Sequence, residues 1–141
     1  LLACSLLMVN NLRDIDTDPA HGKRTLAVRL GPRRARTAYL LMLNLPVVLG
    51  GASLVLARYD LTDGAQTTGG WTGPSLLVLL LCCSAMVEQA ARPVLAGATG
   101  RALIPALRNA GLYELVYGLL LAVGLVLVDP ALGADLWAPW W

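Results

Sequence analysis

Long apolar segments separated by short charged ones dominate the pattern of this chain. Four such segments can be distinguished, at residues 1–12, 38–57, 74–91 and 110–128. The second contains 20 residues, which at a rise of about 1.5 Å per residue matches a hydrocarbon core of about 30 Å. Helix-forming residues dominate the segments, whereas the strands of a membrane barrel would alternate apolar and polar positions. The pattern predicts an all-α, multi-pass transmembrane helical bundle.

The composition supports this prediction. Hydrophobic residues make up 57% of the chain, charged residues 14%, and the mean hydropathy is +0.64. Soluble domains contain roughly 45–50% apolar and 25% charged residues. We therefore expect the lipid bilayer as the main partner of the apolar surface, and no nucleic acid.

The cations are distributed unevenly among the linkers. Residues 13–37 contain seven Lys and Arg, residues 58–73 one, residues 92–109 three, and the tail none. Because cytoplasmic loops of membrane proteins are enriched in Lys and Arg, this alternation predicts that 13–37 and 92–109 are cytoplasmic. Linker 58–73 and the tail are then outside. The outer interface would carry an aromatic belt of Trp71, Trp137, Trp140 and Trp141.

The beginning of the chain is apolar and has neither an initiator Met nor a basic residue before the first apolar run. A signal peptide would have a positive n-region and a cleavage site with small residues. We interpret residues 1–9 as the tail of a truncated spanning helix. Residues 1–141 are accordingly expected to be the C-terminal portion of a single transmembrane domain.

Carboxylates and cations are concentrated directly after the first apolar segment. Asp14, Asp16 and Asp18 are followed by Lys23 and Arg24 within one loop. Carboxylates near the C-terminus of a helix are disfavoured by its dipole, and charges at a membrane boundary are costly. A bound Mg²⁺ would reverse this balance, since it is satisfied by one or two carboxylates, waters and phosphate oxygens.

The spacing in this segment sharpens the hypothesis. Pro19 predicts that the first helix ends near residue 17 or 18, so that Asn10, Asp14 and Asp18 share one face of the helix or of its extension. Gly22 permits a tight turn. Lys23 and Arg24 are suited to neutralise diphosphate oxygens. The alternative is an ordinary positive loop with carboxylate–cation pairs, and the spacing alone leaves both interpretations open.

Other polar groups lie near the membrane ends of the predicted helices. Asn10 and Asn11 need hydrogen-bond partners, either a substrate or a neighbouring helix. His21 is interpreted as a solvated loop residue rather than a general base. For Glu88 and Glu114 we favour positions close to a helix end, where they reach the interface or pair with a cation such as Arg92 or Arg108. The alternative is that they line a polar cavity.

The segment NNLRDIDTDPAHGKRTLAVRLG at 10–31 resembles the second aspartate-rich motif of the UbiA superfamily of intramembrane prenyltransferases. It is most similar to the branch that prenylates 1,4-dihydroxy-2-naphthoate in menaquinone synthesis. The segment PALRNAGLYELVYGLLLAVGL at 105–125 is similar, more weakly, to the last helix of that family. Asp16 falls at a position that the motif leaves open.

This resemblance implies a site and a fold. In the family, two aspartate-rich motifs face each other at the cytoplasmic side of a nine-helix bundle and bind the Mg²⁺ that chelates the prenyl diphosphate. Asp14 and Asp18 would be the metal-coordinating and catalytic pair, Lys23 and Arg24 would contact diphosphate, and the substrate site would also include Asn10 and Asn11. The chain would comprise the end of helix six and helices seven to nine. The first motif would precede Leu1, so this segment alone is expected to be inactive.

The reaction implied by the resemblance is transfer of a polyprenyl group from polyprenyl diphosphate to 1,4-dihydroxy-2-naphthoate with loss of CO₂, giving demethylmenaquinone in a bacterial plasma membrane. Two alternatives remain. One is a related enzyme with another aromatic acceptor, such as 4-hydroxybenzoate. The other is a membrane transporter or structural subunit with an ion-paired loop.

Overall fold

Four α-helices make up the fold of the computed structural model, which describes residues 1–58 and 72–128. They are α1 (Leu2–Arg13), α2 (Leu26–Arg58), α3 (Thr72–Leu95) and α4 (Ile104–Val128). A short 3-10 turn, Pro19–His21, lies between α1 and α2, and another, Gly100–Leu103, lies between α3 and α4. Within the two described ranges there is no strand. The predicted all-α fold is confirmed.

Three helical segments are long and apolar enough to cross a membrane, namely Leu26–Leu56, Pro74–Leu95 and Gly100–Leu127. The chain is therefore a multi-pass membrane protein. Many large apolar side chains on these segments are exposed, as expected of helices whose surroundings are apolar. The predicted aromatic belt and the linker 58–73 lie almost entirely outside the described residues.

Two helices begin earlier than their apolar segments. Helix α2 begins at Leu26 although its apolar segment begins at residue 38, so the linker predicted over 13–37 is too long. The first turns of α2 carry exposed arginines. Hydropathy alone does not distinguish such a charged helical turn from a charged loop. Gly31, with φ 75° and ψ 165°, interrupts α2, and Pro32 follows it in a position that proline favours at the start of a helix. Helix α4 likewise begins at Ile104 rather than at residue 110.

The two inter-helix connections lie at the same end of the bundle. Helix α1 packs mainly against α2, and α3 packs mainly against α4. Arg36, near the start of α2, donates hydrogen bonds from Nη2 to the carbonyl oxygens of Gly97 (2.9 Å) and Ala98 (3.1 Å) in the α3–α4 connection. Deeper in the bundle, the buried Tyr39 hydroxyl donates to the Ala90 carbonyl at 3.2 Å and joins α2 to α3.

Helix α2 contains Pro46 in its interior, and two tyrosines of α4 contact the backbone there. Proline lacks an N–H and removes one bond of the helical ladder. The Tyr113 hydroxyl donates to the Leu43 carbonyl at 3.1 Å, and the Tyr117 hydroxyl donates to the Pro46 carbonyl at 2.6 Å. Gly50 lies directly against the Tyr117 ring. Because backbone polar groups within a bilayer need partners inside the protein, these bonds tie α4 to the proline-containing turn.

Candidate functional site

The aspartate-rich segment leaves the helix earlier than predicted. Helix α1 ends at Arg13, and Asp14 follows it as the C-terminal cap with φ −99° and ψ 10°, whereas the sequence predicted an end near residue 17 or 18. The Asp14 carbonyl accepts hydrogen bonds from the Thr17 N–H (3.0 Å), the Thr17 hydroxyl (3.1 Å) and the Asp18 N–H (2.9 Å). Side-chain bonds of this kind compete with the helical ladder. Asp18 therefore lies in one extra turn beyond α1.

The carboxylate of Asp14 is engaged by its neighbour in sequence. Arg13 Nε lies 2.8 Å from Oδ1 and Arg13 Nη2 lies 2.6 Å from Oδ2, so the pair is bidentate. The Arg13 hydrogen bonds lower the pKa of Asp14, and the positive charge of Lys23 lowers it further. Asp14 is therefore ionised at neutral pH. This pair was not predicted from the sequence, in which Arg13 was only one of the seven cations of linker 13–37.

The loop after Asp18 turns back toward the aspartates, as predicted from Gly22. The Asp18 carbonyl accepts hydrogen bonds from the backbone N–H of His21 (3.1 Å) and of Lys23 (2.9 Å). Gly22 has φ 73°, in the left-handed region that favours glycine. The Asp18 residue is 7% exposed, whereas Lys23 and Arg24 are exposed to solvent. The turn thus connects the buried Asp18 to the exposed Lys23, which directly follows the glycine.

A cavity of about 350 Å³ lies between this segment and the α3–α4 connection. One wall is formed by Arg13, Asp14 and Thr17, and the other by the turn that contains Arg101. Arg101 was not among the site residues predicted from the sequence. The sequence indicated its proximity to the aspartates only through the distribution of cations, which predicted linkers 13–37 and 92–109 on the same side of the membrane.

The α3–α4 connection is held in place by the rest of the bundle. The N–H groups of Gly97 and Ala98 donate to carbonyls in the last turn of α3, and Gly97 has φ 80°, which together form a Schellman-type cap. Arg36 binds the carbonyls of the same two residues. Leu103 is fully buried. The position of the connection is therefore determined by α2 and by the core.

Removing the Arg36 side chain is expected to loosen this connection. Arg36→Ala in the full-length protein should lower the free energy of opening of residues 96–103 by about 1–2 kcal/mol, the usual contribution of hydrogen bonds from a charged donor. Hydrogen exchange of the backbone amides in detergent or nanodiscs would measure this change. Arg34→Ala is the matched control, since Arg34 is exposed and on the same helix. Equal exchange in both variants would contradict the role of Arg36.

The predicted substrate residues Asn10 and Asn11 lie on α1 and are both half-buried. Asn10 lines an apolar cavity of about 340 Å³ with Leu107 of α4, separate from the cavity beside Asp14. Among the residues that the structure describes, neither side-chain amide has a hydrogen-bond partner. Their amides remain available to a ligand, and their predicted roles stay predictions.

The two membrane glutamates differ. Glu88 Oε1 pairs with Arg92 Nη2 at 2.7 Å on the surface of α3, so the favoured interpretation is confirmed for Glu88. For Glu114 it is wrong, because α4 begins at Ile104 and Glu114 lies ten residues further along. Glu114 is half-buried and lines a cavity of about 410 Å³ whose other lining residues are mostly apolar. Glu88 also lines a mostly apolar cavity, of about 880 Å³. The alternative of a polar cavity therefore stays a prediction for both glutamates.

The donor set of the aspartate loop limits the metals it can hold. Within residues 1–58 and 72–128 there is no group of three or more His, Cys, Asp or Glu side chains that could hold a metal ion. Asp14 and Asp18 supply two carboxylates. Mg²⁺ needs only one or two carboxylates when waters and phosphate oxygens complete its shell. The residues present therefore fit Mg²⁺ that is shared with a phosphorylated ligand.

Comparison with known proteins supports the resemblance found in the sequence. The chain is 40% identical over 121 residues to the 1,4-dihydroxy-2-naphthoate octaprenyltransferase of Mycobacterium tuberculosis, covering 86% of this chain and 36% of that protein. It is 36% identical over 126 residues to the protein of the same name from Mycobacterium leprae, covering 89% and 37%. These relatives support the assignment to the UbiA-type prenyltransferases.

The relationship extends beyond the mycobacteria. The 1,4-dihydroxy-2-naphthoate octaprenyltransferase of Escherichia coli is 37% identical over 90 residues, which cover 64% of this chain and 25% of that protein. The chain thus spans well under half the length of the curated relatives it matches. No family model matches the chain, and no solved structure matches it significantly.

Proposed function

We propose that the full-length protein transfers a polyprenyl group from polyprenyl diphosphate to 1,4-dihydroxy-2-naphthoate in menaquinone biosynthesis. The observation that carries the proposal is the Asp14–Lys23 loop. Asp14 lines a cavity, the Lys23 N–H donates to the Asp18 carbonyl across the turn, and the positive charge of Lys23 lowers the pKa of Asp14. The names of the relatives supply the acceptor. The apolar surface of the helices suits a reaction whose donor is itself a lipid.

Asp14 and Asp18 would hold Mg²⁺ in this proposal. When bound, the metal neutralises charge on the diphosphate leaving group. Arg13 engages both carboxylate oxygens of Asp14, and each oxygen keeps a further lone pair with which it could bind a metal. Arg13 also lines the cavity, where it would add positive charge near the diphosphate.

The other residues of the loop would stabilise the departing diphosphate. Lys23 acts as a point charge and Arg24 as a planar fork, and both favour the charge that develops as the allylic C–O bond breaks. The bonding electrons remain on the diphosphate. The electron-rich naphthoate carbon forms the new C–C bond, and its carboxylate leaves as CO₂. Asn10 and Asn11, whose side-chain amides are half-buried, would hydrogen-bond the acceptor.

An assay of the purified full-length protein in nanodiscs tests this proposal. With polyprenyl diphosphate and 1,4-dihydroxy-2-naphthoate we expect a prenylated product that lacks the carboxyl group, with activity abolished by EDTA and restored by Mg²⁺. With 4-hydroxybenzoate we expect turnover at least about tenfold slower, since a polar site discriminates against an acceptor whose groups it cannot pair.

Two other outcomes would overturn the proposal. Turnover with 4-hydroxybenzoate alone would assign the protein to a different acceptor class of the same family. Absence of both prenyl transfer and Mg²⁺-dependent binding of the diphosphate would favour a transporter or a structural subunit.

A further inference from the structure

We propose that Arg101 binds the diphosphate group of the prenyl donor. The diphosphate site would then include a cation from the α3–α4 connection in addition to those of the loop at 10–31. This inference rests on the proposed function and names one further residue of the same site.

Arg101 lies close to the aspartate loop in space. It lines the cavity of about 350 Å³, on the wall that faces Arg13, Asp14 and Thr17. Two helices, α2 and α3, separate it from the aspartate loop in sequence. A ligand chelated at Asp14 would extend into this cavity, because Asp14 itself lines it.

The charges around the cavity favour an anion. Arg13 is neutralised by its bidentate pair with Asp14. Arg101 makes no ion pair with a carboxylate in the part of the chain that the structure describes. The cavity wall as a whole thus has an excess positive charge, which suits an anion. Arginine is also the side chain whose planar fork matches phosphate oxygens in a bidentate arrangement.

The backbone around Arg101 is held in place by the bundle. Leu103, two residues further along, is fully buried, and Gly100 has φ 54° in the turn that presents the arginine. The preceding carbonyls of Gly97 and Ala98 are bound by Arg36 of α2. Little backbone entropy is therefore lost when an anion binds at this turn.

Equilibrium binding of a non-reactive prenyl thiodiphosphate to the full-length protein in nanodiscs with Mg²⁺ tests the inference. Arg101→Ala and Arg101→Gln should each raise the Kd at least about tenfold, and Arg101→Lys should recover part of the loss. Arg108→Ala is the matched control, since Arg108 is exposed on the nearby first turns of α4 and does not line the cavity. Its Kd should stay within about twofold of that of the unsubstituted protein.

Steady-state kinetics give a second readout. The KM for the prenyl diphosphate should rise in the Arg101 variants while the KM for the aromatic acceptor stays unchanged. If the Arg101 variants bind the analogue as Arg108→Ala does, while Asp18→Ala abolishes binding, the inference is overturned and the proposed function stands. If the unsubstituted protein does not bind the analogue, both are overturned.

Discussion

Asp14→Ala and Asp18→Ala in the full-length protein should each reduce Mg²⁺-dependent prenyl transfer at least about a hundredfold, because each removes a carboxylate that would stabilise the metal–diphosphate charge. Asp14 begins the extra turn beyond α1, and the residue Asp18 is almost fully buried at its end. Initial rates at saturating concentrations of both substrates would measure the loss.

Asp16→Ala is the matched control for these two variants. Asp16 belongs to the same acidic cluster but is exposed, and it falls at the position that the family motif leaves open. We expect its rate to stay within about threefold of that of the unsubstituted protein, because only a weak, screened charge is removed. An equal loss of rate in all three variants would indicate that the total negative charge of the loop matters, and not metal coordination by two particular carboxylates. Full turnover in both Asp14→Ala and Asp18→Ala would refute the assignment of these residues to the metal site.

Gly50→Ala should destabilise the bundle by about 1–3 kcal/mol, the usual cost of overpacking a filled interior. A methyl group on Gly50 would overlap the Tyr117 hydroxyl oxygen and lie 3.2 Å from the ring carbon that carries it. Tyr117 cannot move away without breaking its 2.6 Å hydrogen bond to the Pro46 carbonyl. The gain of about 1 kcal/mol that alanine offers in a helix interior offsets part of this cost, but the direct overlap with the Tyr117 hydroxyl places the cost toward the upper end of the range. Thermal unfolding of the full-length protein in detergent would measure the change.

A double-mutant cycle separates steric overlap from other effects. Tyr117→Phe removes the hydroxyl and should cost about 1 kcal/mol, the usual contribution of one hydrogen bond. Adding Gly50→Ala to Tyr117→Phe should then cost less than Gly50→Ala does alone, since the closest overlap is gone. Gly118→Ala is the control, because nothing lies within 4 Å of a methyl group there. Additive effects of the two substitutions would contradict the proposed contact.

Local residue patterns were sufficient to predict several parts of this structure. The apolar segments predicted the helices because the solvent of a membrane helix is apolar along its whole length. Gly22 predicted the tight turn because few other residues adopt a positive φ, and the structure has φ 73° there. The aspartates and cations at 10–31 predicted a metal–diphosphate site because its proposed ligands are close together in sequence. That role stays a prediction.

Helix boundaries were less predictable. Pro19 predicted an end near Asp18, but the Thr17 hydroxyl and N–H both bond to the Asp14 carbonyl and end α1 at Arg13. The starts of α2 and α4 were also misjudged, and the late start predicted for α4 placed Glu114 too close to the helix end. In these two helices the first turns lie before the apolar segment, and hydropathy alone did not identify them as helical.

By itself, the sequence determined the helical membrane fold, the acidic loop and the side of the bundle on which its cations lie. Only the tertiary structure decided that Arg101 lines the cavity beside Asp14, that Arg36 holds the α3–α4 connection, and that Tyr117 packs against Gly50. The physical reason is the distance along the chain over which each effect acts. Solvent preference, turn geometry and helix periodicity act over a few residues and can be recognised in the chain, whereas contacts between distant helices depend on how their surfaces pack together.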